Sequence, residues 1–207
     1  MWYCNDLCQK QDWINHKSEC KVYQNHTFQA KYKDGPDFIR LFIRLWAMKS
    51  NEGFLVKQYQ LPNGKLMRFQ DLKPNMDLME KDQNKIKSFK VIFDMFKQIQ
   101  LMRYSRKSLF KLYGTIINTH LITVHDVMGI SFNLALGFSV EIASFNHSCA
   151  PNAVLVSEGI ETKVLAMKPI YLNEEITINR IKLGMNKIER KEKMKKLFLI
   201  DCLCPRC

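Results

Sequence analysis

The hydrophobic positions of the first half of the chain recur every three or four residues, a spacing typical of amphipathic helices. Between Asp37 and Lys49 the apolar stripe predicts one such helix, with arginines on its other side. The same spacing predicts helical stretches over residues 75–103 and 105–117. The tetrapeptide Leu61-Pro62-Asn63-Gly64 predicts a turn between the helix Asp37–Lys49 and the helical stretch 75–103.

The pattern changes near Ile116 to short β-rich runs separated by polar residues. A charged helix is predicted again from Glu189 to Leu199. The combined pattern predicts an α+β fold. The predicted strands are Ile130–Phe132, Phe138–Ile142, Ala153–Val156, Thr162–Ala166 and Ile176–Ile178.

One stretch in the strand-rich half concentrates chemically active side chains: Phe145-Asn146-His147-Ser148-Cys149-Ala150-Pro151-Asn152. The chain ends in C-x-C-x-x-C, formed by Cys202, Cys204 and Cys207. Together with Cys149 these provide four thiolates, the complete ligand set of a structural zinc. Such a metal would close a loop of about 50 residues and fix the chain end against the first stretch. The alternative is a cluster of free thiols.

The N-terminus has its own potential metal ligands, Cys4, Cys8, His16 and Cys20. His16 and Cys20 lie four residues apart, which is one helical turn, so both can face one metal ion. With these residues and the terminal cluster, all seven cysteines are assigned to metal binding.

These motifs, in this order, resemble the SMYD family of protein-lysine methyltransferases. Residues 3–20 resemble the second half of a MYND zinc finger. The Asn146–Asn152 stretch, the run Glu174-Glu175-Ile176-Thr177-Ile178 and the terminal cysteines resemble a SET domain with its post-SET zinc segment. The resemblance implies a half finger at 1–20, a linker and helical insert at 21–104, a β-rich SET core at 105–182 and a post-SET helix and zinc segment at 183–207.

The resemblance also implies an activity, which is transfer of a methyl group from S-adenosylmethionine to lysines of histones or other proteins. Asn146 and His147 match residues that hold this cofactor, and Asn118 matches a further cofactor contact. Without the resemblance, an Asn-His pair in a turn indicates only turn chemistry. The MYND finger implies a proline-rich peptide partner.

The chain departs from the family at the catalytic position. The family places a tyrosine two residues after Ile178, where this sequence has Arg180. An arginine is always charged and would repel an incoming lysine. Phe198 and Ile200 stand where the family commonly has a tyrosine and another aromatic ring. Two hypotheses follow: an active methyltransferase, or a catalytically impaired SET and MYND scaffold that binds chromatin or other proteins.

The family's MYND finger is cross-braced, and each zinc takes one ligand pair from each half. By resemblance Cys4 and Cys8 belong to one zinc site and His16 and Cys20 to another, with the other ligands upstream of this chain. The alternative is a single zinc held by these four residues.

The composition limits the remaining function classes. The chain has 207 residues, 46% of them hydrophobic, and a net charge of +12, which suits one sizeable core and acidic partners. The lysine runs at 81–90 and 187–196 are typical of solvated helix faces. The odd cysteine count and the absence of a signal peptide indicate an intracellular protein of the nucleus or cytoplasm. The protein is expected to be a monomer. No apolar run reaches the ~18 residues of a membrane span, and the zinc spacings exclude the Cys2His2 class of DNA-binding finger.

Overall fold

The computed structural model describes residues 5–25, 37–49, 52–99, 105–119, 121–125, 133–158 and 161–207. Helices occupy most of the first half and most of the paired strands lie in the second, so the protein has an α+β fold. Among the described helices, none has both the length and the apolar character needed to cross a bilayer.

The chain begins with an 18-residue helix, α1 (Asp6–Tyr23). Asn5 caps it, because the Asn5 side chain accepts a hydrogen bond from the Cys8 backbone N–H at 2.9 Å. The helix continues beyond residue 20, where a linker was predicted, because the completely buried Val22 anchors its last turn in the core.

The main core is aromatic and lies between three helices. Edge-to-face contacts join Phe96 to Phe42 at 5.7 Å and to Trp46 at 5.9 Å between ring centres. These contacts hold α2 (Asp37–Lys49) against α5 (Gln83–Ile99), and α6 (Arg106–Ile117) completes the layer. The intervening elements are α3 (Glu52–Val56), β1 (Gln58–Gln60), β2 (Leu66–Arg68), a 3-10 turn (Phe69–Asp71) and α4 (Met76–Met79).

The strands form short two-stranded pairs, and those of the second half surround a smaller core. The antiparallel pairs are β1 with β2, β3 (Ile122–His125) with β4 (Asn133–Gly137), and β6 (Ala153–Glu158) with β7 (Glu161–Ala166). A four-residue helix, α7 (Val140–Ala143), precedes β5 (Asn146–His147). The small core consists of Ile122, Ile142, Phe145, Ala153 and Ile178.

The pairing of β5 with β8 (Thr177–Ile178) is parallel, with Asn146 opposite Thr177 and His147 opposite Ile178. Parallel neighbours require a long crossover connection, and here it contains the β6–β7 hairpin. The pairing therefore brings two stretches about 30 residues apart in sequence into register.

The last helix, α8 (Lys187–Phe198), starts with a capping box in which Asn186 and Glu189 bond each other's backbone N–H groups. It ends at Leu199, whose φ of 58° is the left-handed conformation that reverses the chain. Met194 is completely buried beneath the terminal cysteines. The reversal directs residues 200–207 back against the loop after β5.

Several predicted elements are confirmed, including the helix Asp37–Lys49 with its bounds and the strands β6 and β7. The helical stretch 75–103 divides into α4 and α5 within its described part. The predicted strand Phe138–Ile142 is wrong. Ser139 caps a helical turn there by accepting a hydrogen bond from the Ile142 N–H at 3.1 Å. The predicted strand Ile130–Phe132 lies outside the described residues.

Candidate active site and metal centre

Four cysteines meet in one group, the thiolate cluster: Cys149, Cys202, Cys204 and Cys207. Their sulfur atoms all lie within 4.8 Å of one another. Cys149 Sγ is 3.4 Å from Cys207 Sγ and 4.0 Å from Cys202 Sγ. Sulfur atoms bound tetrahedrally to zinc are about 3.8 Å apart, since each Zn–S bond is about 2.3 Å. None of the four cysteines is in a disulfide, so the cluster has the ligands and spacing of a structural zinc site.

Two arginines surround the thiolate cluster. The buried Arg190 donates from Nη1 to the Met185 carbonyl at 2.6 Å and from Nη2 to the Arg206 carbonyl at 2.9 Å. Its guanidinium also faces the sulfur atoms of Cys149 and Cys207. Arg206 Nη1 donates to the Cys149 carbonyl at 3.1 Å. Because four thiolates around Zn²⁺ leave two negative charges, these two guanidinium groups offset the charge of the centre. This role of Arg190 was not predicted, because the lysine-rich run 187–196 is typical of a solvated helix face.

The thiols differ in acidity before any metal binds. Burial, followed by the hydrogen bond to Cys207, raises the pKa of Cys149 to about 12. At Cys204 burial also raises the pKa, but hydrogen bonds from the Cys149 backbone N–H and the Cys202 thiol outweigh it, and the pKa falls to about 6. These shifts favour the thiolate form at Cys204 and the neutral thiol at Cys149, whose proton a metal must displace.

His147 connects the thiolate cluster to the neighbouring strand. Its Nδ1 accepts a hydrogen bond from the Arg180 backbone N–H at 3.0 Å, so Nε2 carries the proton and donates to Cys149 Sγ at 3.2 Å. Burial, and next the charge of Arg180, lower the pKa of His147 to about 4. The imidazole is thus neutral with both nitrogens engaged, which leaves the main chain of His147 for any contact with a cofactor.

Arg180 occupies the centre of the candidate site. Its Nη2 donates to the Phe145 carbonyl at 2.7 Å and its Nη1 to the Asn118 carbonyl at 3.0 Å. The guanidinium carbon lies 5.6 Å from the centre of the Phe198 ring, in cation–π contact. Burial lowers the pKa of Arg180 below its ordinary value, yet the side chain remains charged. One side chain thus links the end of α6, the residue before β5 and the end of α8.

Asn118 and Asn146 lie on either side of Arg180. The Asn118 amide donates from Nδ2 to the Pro74 carbonyl at 2.8 Å, while its buried Oδ1 has no partner among the described residues. Asn146 is exposed and donates from Nδ2 to Glu175 Oε1 at 2.6 Å. It lines an open cleft of about 650 Å³. Asn118 is not among the residues that line this cleft, so the unpaired acceptor and the cleft are two separate features of the candidate site.

Asn152 holds the candidate site together, a role that the sequence analysis missed. Its buried side chain donates from Nδ2 to Glu174 Oε1 at 3.1 Å and to the Glu175 carbonyl at 2.8 Å. Its Oδ1 accepts from the Thr177 backbone N–H at 2.8 Å. These bonds fix the approach of β8 to β5. Local sequence does not indicate these bonds, since the partners of Asn152 lie more than 20 residues away.

Three of the N-terminal candidate ligands, Cys8, His16 and Cys20, lie on α1. Cys4 is outside the described residues. Cys8 and His16 are eight residues apart on one continuous helix, so about 12 Å separates them along its axis. This separation does not suit one zinc bound by both, whereas it is compatible with two separate half-sites. The assignment of Cys4, Cys8, His16 and Cys20 to zinc stays a prediction.

His16 also has a polar environment that the sequence analysis missed. Its Nδ1 lies 2.7 Å from Oε1 of the buried Glu19. Arg44 of α2 donates to the carboxylates of Glu19, at 2.7 Å, and of Asp12. A carboxylate on one ring nitrogen is a common way to orient a metal-binding histidine. The guanidinium of Arg44 pairs with both acids and offsets part of their charge, which helps Glu19 to be tolerated in the interior.

Comparison with known proteins agrees with the resemblance seen in the motifs. The model of the MYND finger family matches residues 1–20. The chain is 27% identical to the human histone-lysine N-methyltransferase SMYD3 over 99% of the chain and 46% of that protein. It is 27% identical to histone-lysine N-methyltransferase ASHR1 of Arabidopsis thaliana over 100% of the chain and 42% of that protein. It is 26% identical to SET domain and MYND-type zinc finger protein 6 of Schizosaccharomyces pombe over 99% of the chain and 38% of that protein. The chain thus spans less than half the length of these relatives.

Proposed function

The chain resembles the SMYD family along its whole length, and we propose that it forms the SET part of an S-adenosylmethionine-dependent protein-lysine N-methyltransferase with a structural zinc. One observation carries the proposal. The residues matched to cofactor binding, catalysis and zinc come from four distant segments, and the parallel pairing of β5 with β8 gathers them around Arg180.

The proposed cofactor site uses three groups. The Asn146 side chain, which lines the open cleft, and the main chain of His147 would bind the amino-acid and adenine ends of the cofactor. The buried Asn118 Oδ1, which has no partner among the described residues, would accept a further hydrogen bond from the cofactor. When bound, S-adenosylmethionine supplies an electrophilic methyl group on its sulfonium. The chain's own residues hold and orient the two reactants, since alignment of donor and acceptor is the main requirement of a displacement reaction.

The thiolate cluster would provide the wall of the site. A zinc ion there would fix residues 200–207 against the loop after β5, and His147 would transmit this order to the Arg180 backbone through its two ring nitrogens. The proposed role of this metal is structural because all four ligands are protein thiolates, which leaves no open position for a substrate.

A second candidate function is a non-catalytic scaffold, and the geometry of Arg180 favours it. The guanidinium already donates to two main-chain carbonyls and covers the Phe198 ring. In the resembled site, carbonyl oxygens and a tyrosine hydroxyl hold the neutral amine of a substrate lysine. A permanent cation bonded to such carbonyls would exclude a lysine but would leave cofactor, zinc and partner binding possible. The MYND-like residues 1–20 would then bind proline-rich partners.

Calorimetric titration of S-adenosylmethionine into zinc-loaded protein tests the shared part of both candidates. We expect a micromolar dissociation constant, which corresponds to a binding free energy of about 8 kcal/mol. The affinity should fall about tenfold in Asn146→Ala. Asn84→Ala, which removes an exposed amide on α5, is the matched control and should bind normally. No binding by a folded, zinc-loaded chain would contradict the cofactor site.

Transfer of labelled methyl groups to histone or peptide substrates then separates the two candidates. The enzyme hypothesis predicts incorporation by the native chain and a higher rate in Arg180→Tyr. The scaffold hypothesis predicts no incorporation by the native chain, with partner binding that does not respond to the cofactor. A lower rate in folded Arg180→Tyr than in the native chain would show that the catalytic position is misassigned.

A further inference from the structure

A groove in the helical insert lies apart from the proposed methyltransferase site. It has a volume of about 590 Å³ and runs between α4, α5 and α6. None of its lining residues belongs to the cofactor, catalytic or zinc sets described above. They are Met76, Glu80, Ile86, Phe89, Arg106, Lys107 and Phe110.

The floor of the groove is apolar and rests on the core. The ring centres of Phe89 and Phe110 are 4.8 Å apart, and Phe89 is nearly completely buried. Met76, Ile86 and Phe110 are only partly buried, so they present apolar surface within the groove. A floor of this kind gains stability from contact with apolar side chains of a ligand.

The rim of the groove is strongly basic. Arg106 and Lys107 are exposed in the first turn of α6, and among the described residues neither forms an ion pair. The two helices α5 and α6 together carry seven basic residues and one acid. The first turn of α6 has no acidic residue to offset the partial positive charge of its N–H groups.

We propose that this groove binds an amphipathic, acidic helical segment of a partner protein. Apolar side chains spaced three and four residues apart would contact the floor, and glutamates or aspartates beside them would pair with Arg106 and Lys107. The apolar floor favours such a peptide over nucleic acid, whose phosphates require a uniformly basic polar surface. This inference does not depend on the proposed methyltransferase function.

The test uses the full, zinc-loaded chain and a fluorescein-labelled peptide of about 18 residues, which is five helical turns. The probe has leucines at helical spacing i, i+3, i+4 and i+7, and glutamates elsewhere. A scrambled peptide of identical composition lacks the stripe. Fluorescence anisotropy should show binding of the first peptide and at least about tenfold weaker binding of the second, because only the first offers a continuous apolar face. Equal binding of both peptides, or of neither, would overturn the proposal.

Charge reversal locates the binding surface. The variant Arg106→Glu with Lys107→Glu should weaken binding about tenfold or more. The matched control, Lys87→Glu with Lys90→Glu, makes the same change in net charge at exposed positions outside the groove and should weaken binding less than about threefold. The groove variant should stay folded, since acids in the first turn of a helix are favourable.

Two outcomes would refute the groove as the site. Equal losses in both charge variants would indicate a diffuse electrostatic surface. Displacement of the peptide by a 20-nucleotide single-stranded DNA, with the same dependence on both pairs of basic residues, would indicate a nucleic-acid surface instead.

Discussion

Replacement of Arg180 by methionine should destabilise the protein strongly, although Arg180 stands where an enzyme of the resembled family has its tyrosine. Methionine keeps much of the length of the side chain but removes two charged hydrogen bonds, at 2.7 and 3.0 Å, to main-chain carbonyls. Such bonds contribute about 1.5–3 kcal/mol each. The ring contact with Phe198 contributes about 0.5–1 kcal/mol.

Part of this loss is offset, because a buried charge carries a desolvation cost that methionine does not have. The same desolvation lowers the pKa of Arg180. We therefore expect a net loss of about 3 kcal/mol in the free energy of unfolding. Urea denaturation of the zinc-loaded protein, followed by circular dichroism, should show the midpoint lowered by about 1 M, given a slope of about 2–3 kcal/mol/M.

Two further variants make the measurement specific. Arg180→Lys retains the charge but not the two-pronged geometry, so its loss should be intermediate. Arg68→Met removes a partly exposed arginine whose ion pair, in the described part of the chain, is with Asp71, and it should cost less than about 1 kcal/mol. If the urea midpoint of Arg180→Met lay within 0.2 M of the native value, a difference of about 0.5 kcal/mol, the contacts of Arg180 would not hold the site together.

Three other changes have defined expectations. Cys204→Ser removes the most acidic thiol of the thiolate cluster, and mass-spectrometric metal analysis should show about one zinc fewer per chain; an unchanged zinc content would refute the site. Asn152→Ala breaks three buried hydrogen bonds and should cost about 2–4 kcal/mol in urea denaturation, whereas a loss below about 1 kcal/mol would contradict its role. Gly114→Ala would place a methyl group 2.7 Å from the Pro74 carbonyl oxygen, so it should lower stability by about 1–3 kcal/mol although alanine favours helices; a stabilised variant would show that the two elements separate freely.

The sequence was most informative where a single local pattern decides the structure. The helix Asp37–Lys49 has the predicted bounds because its apolar stripe also faces the aromatic core. Local patterns were misleading at Phe138–Ile142, a short apolar run that fits a strand or a helical turn equally well. The hydrogen bond from the Ile142 N–H to Ser139 Oγ decided in favour of the turn.

The candidate site was only partly predictable, for a physical reason. The four cysteines of the thiolate cluster were predicted from ligand type and spacing, and the structure brings their sulfur atoms together. The contacts of Arg180, His147 and Asn152 depend on which distant backbone groups lie beside them. No local periodicity encodes such neighbours, so residue types could be predicted here but their hydrogen-bond partners could not.

The connectivity of Arg180 and the thiolate cluster also has a consequence for how the protein reaches its folded state. The Arg180 side chain donates a hydrogen bond to the Asn118 carbonyl, 62 residues earlier in the chain. The Cys149 backbone N–H donates a hydrogen bond to Cys204 Sγ, 55 residues later. Contacts of such long sequence separation form slowly, because the entropy of loop closure must be lost before they stabilise anything. During synthesis, the helical core around Phe42 and Phe96 can assemble early, whereas the site must wait until Cys207 has left the ribosome. Formation of the proposed zinc site therefore follows the assembly of the helical core.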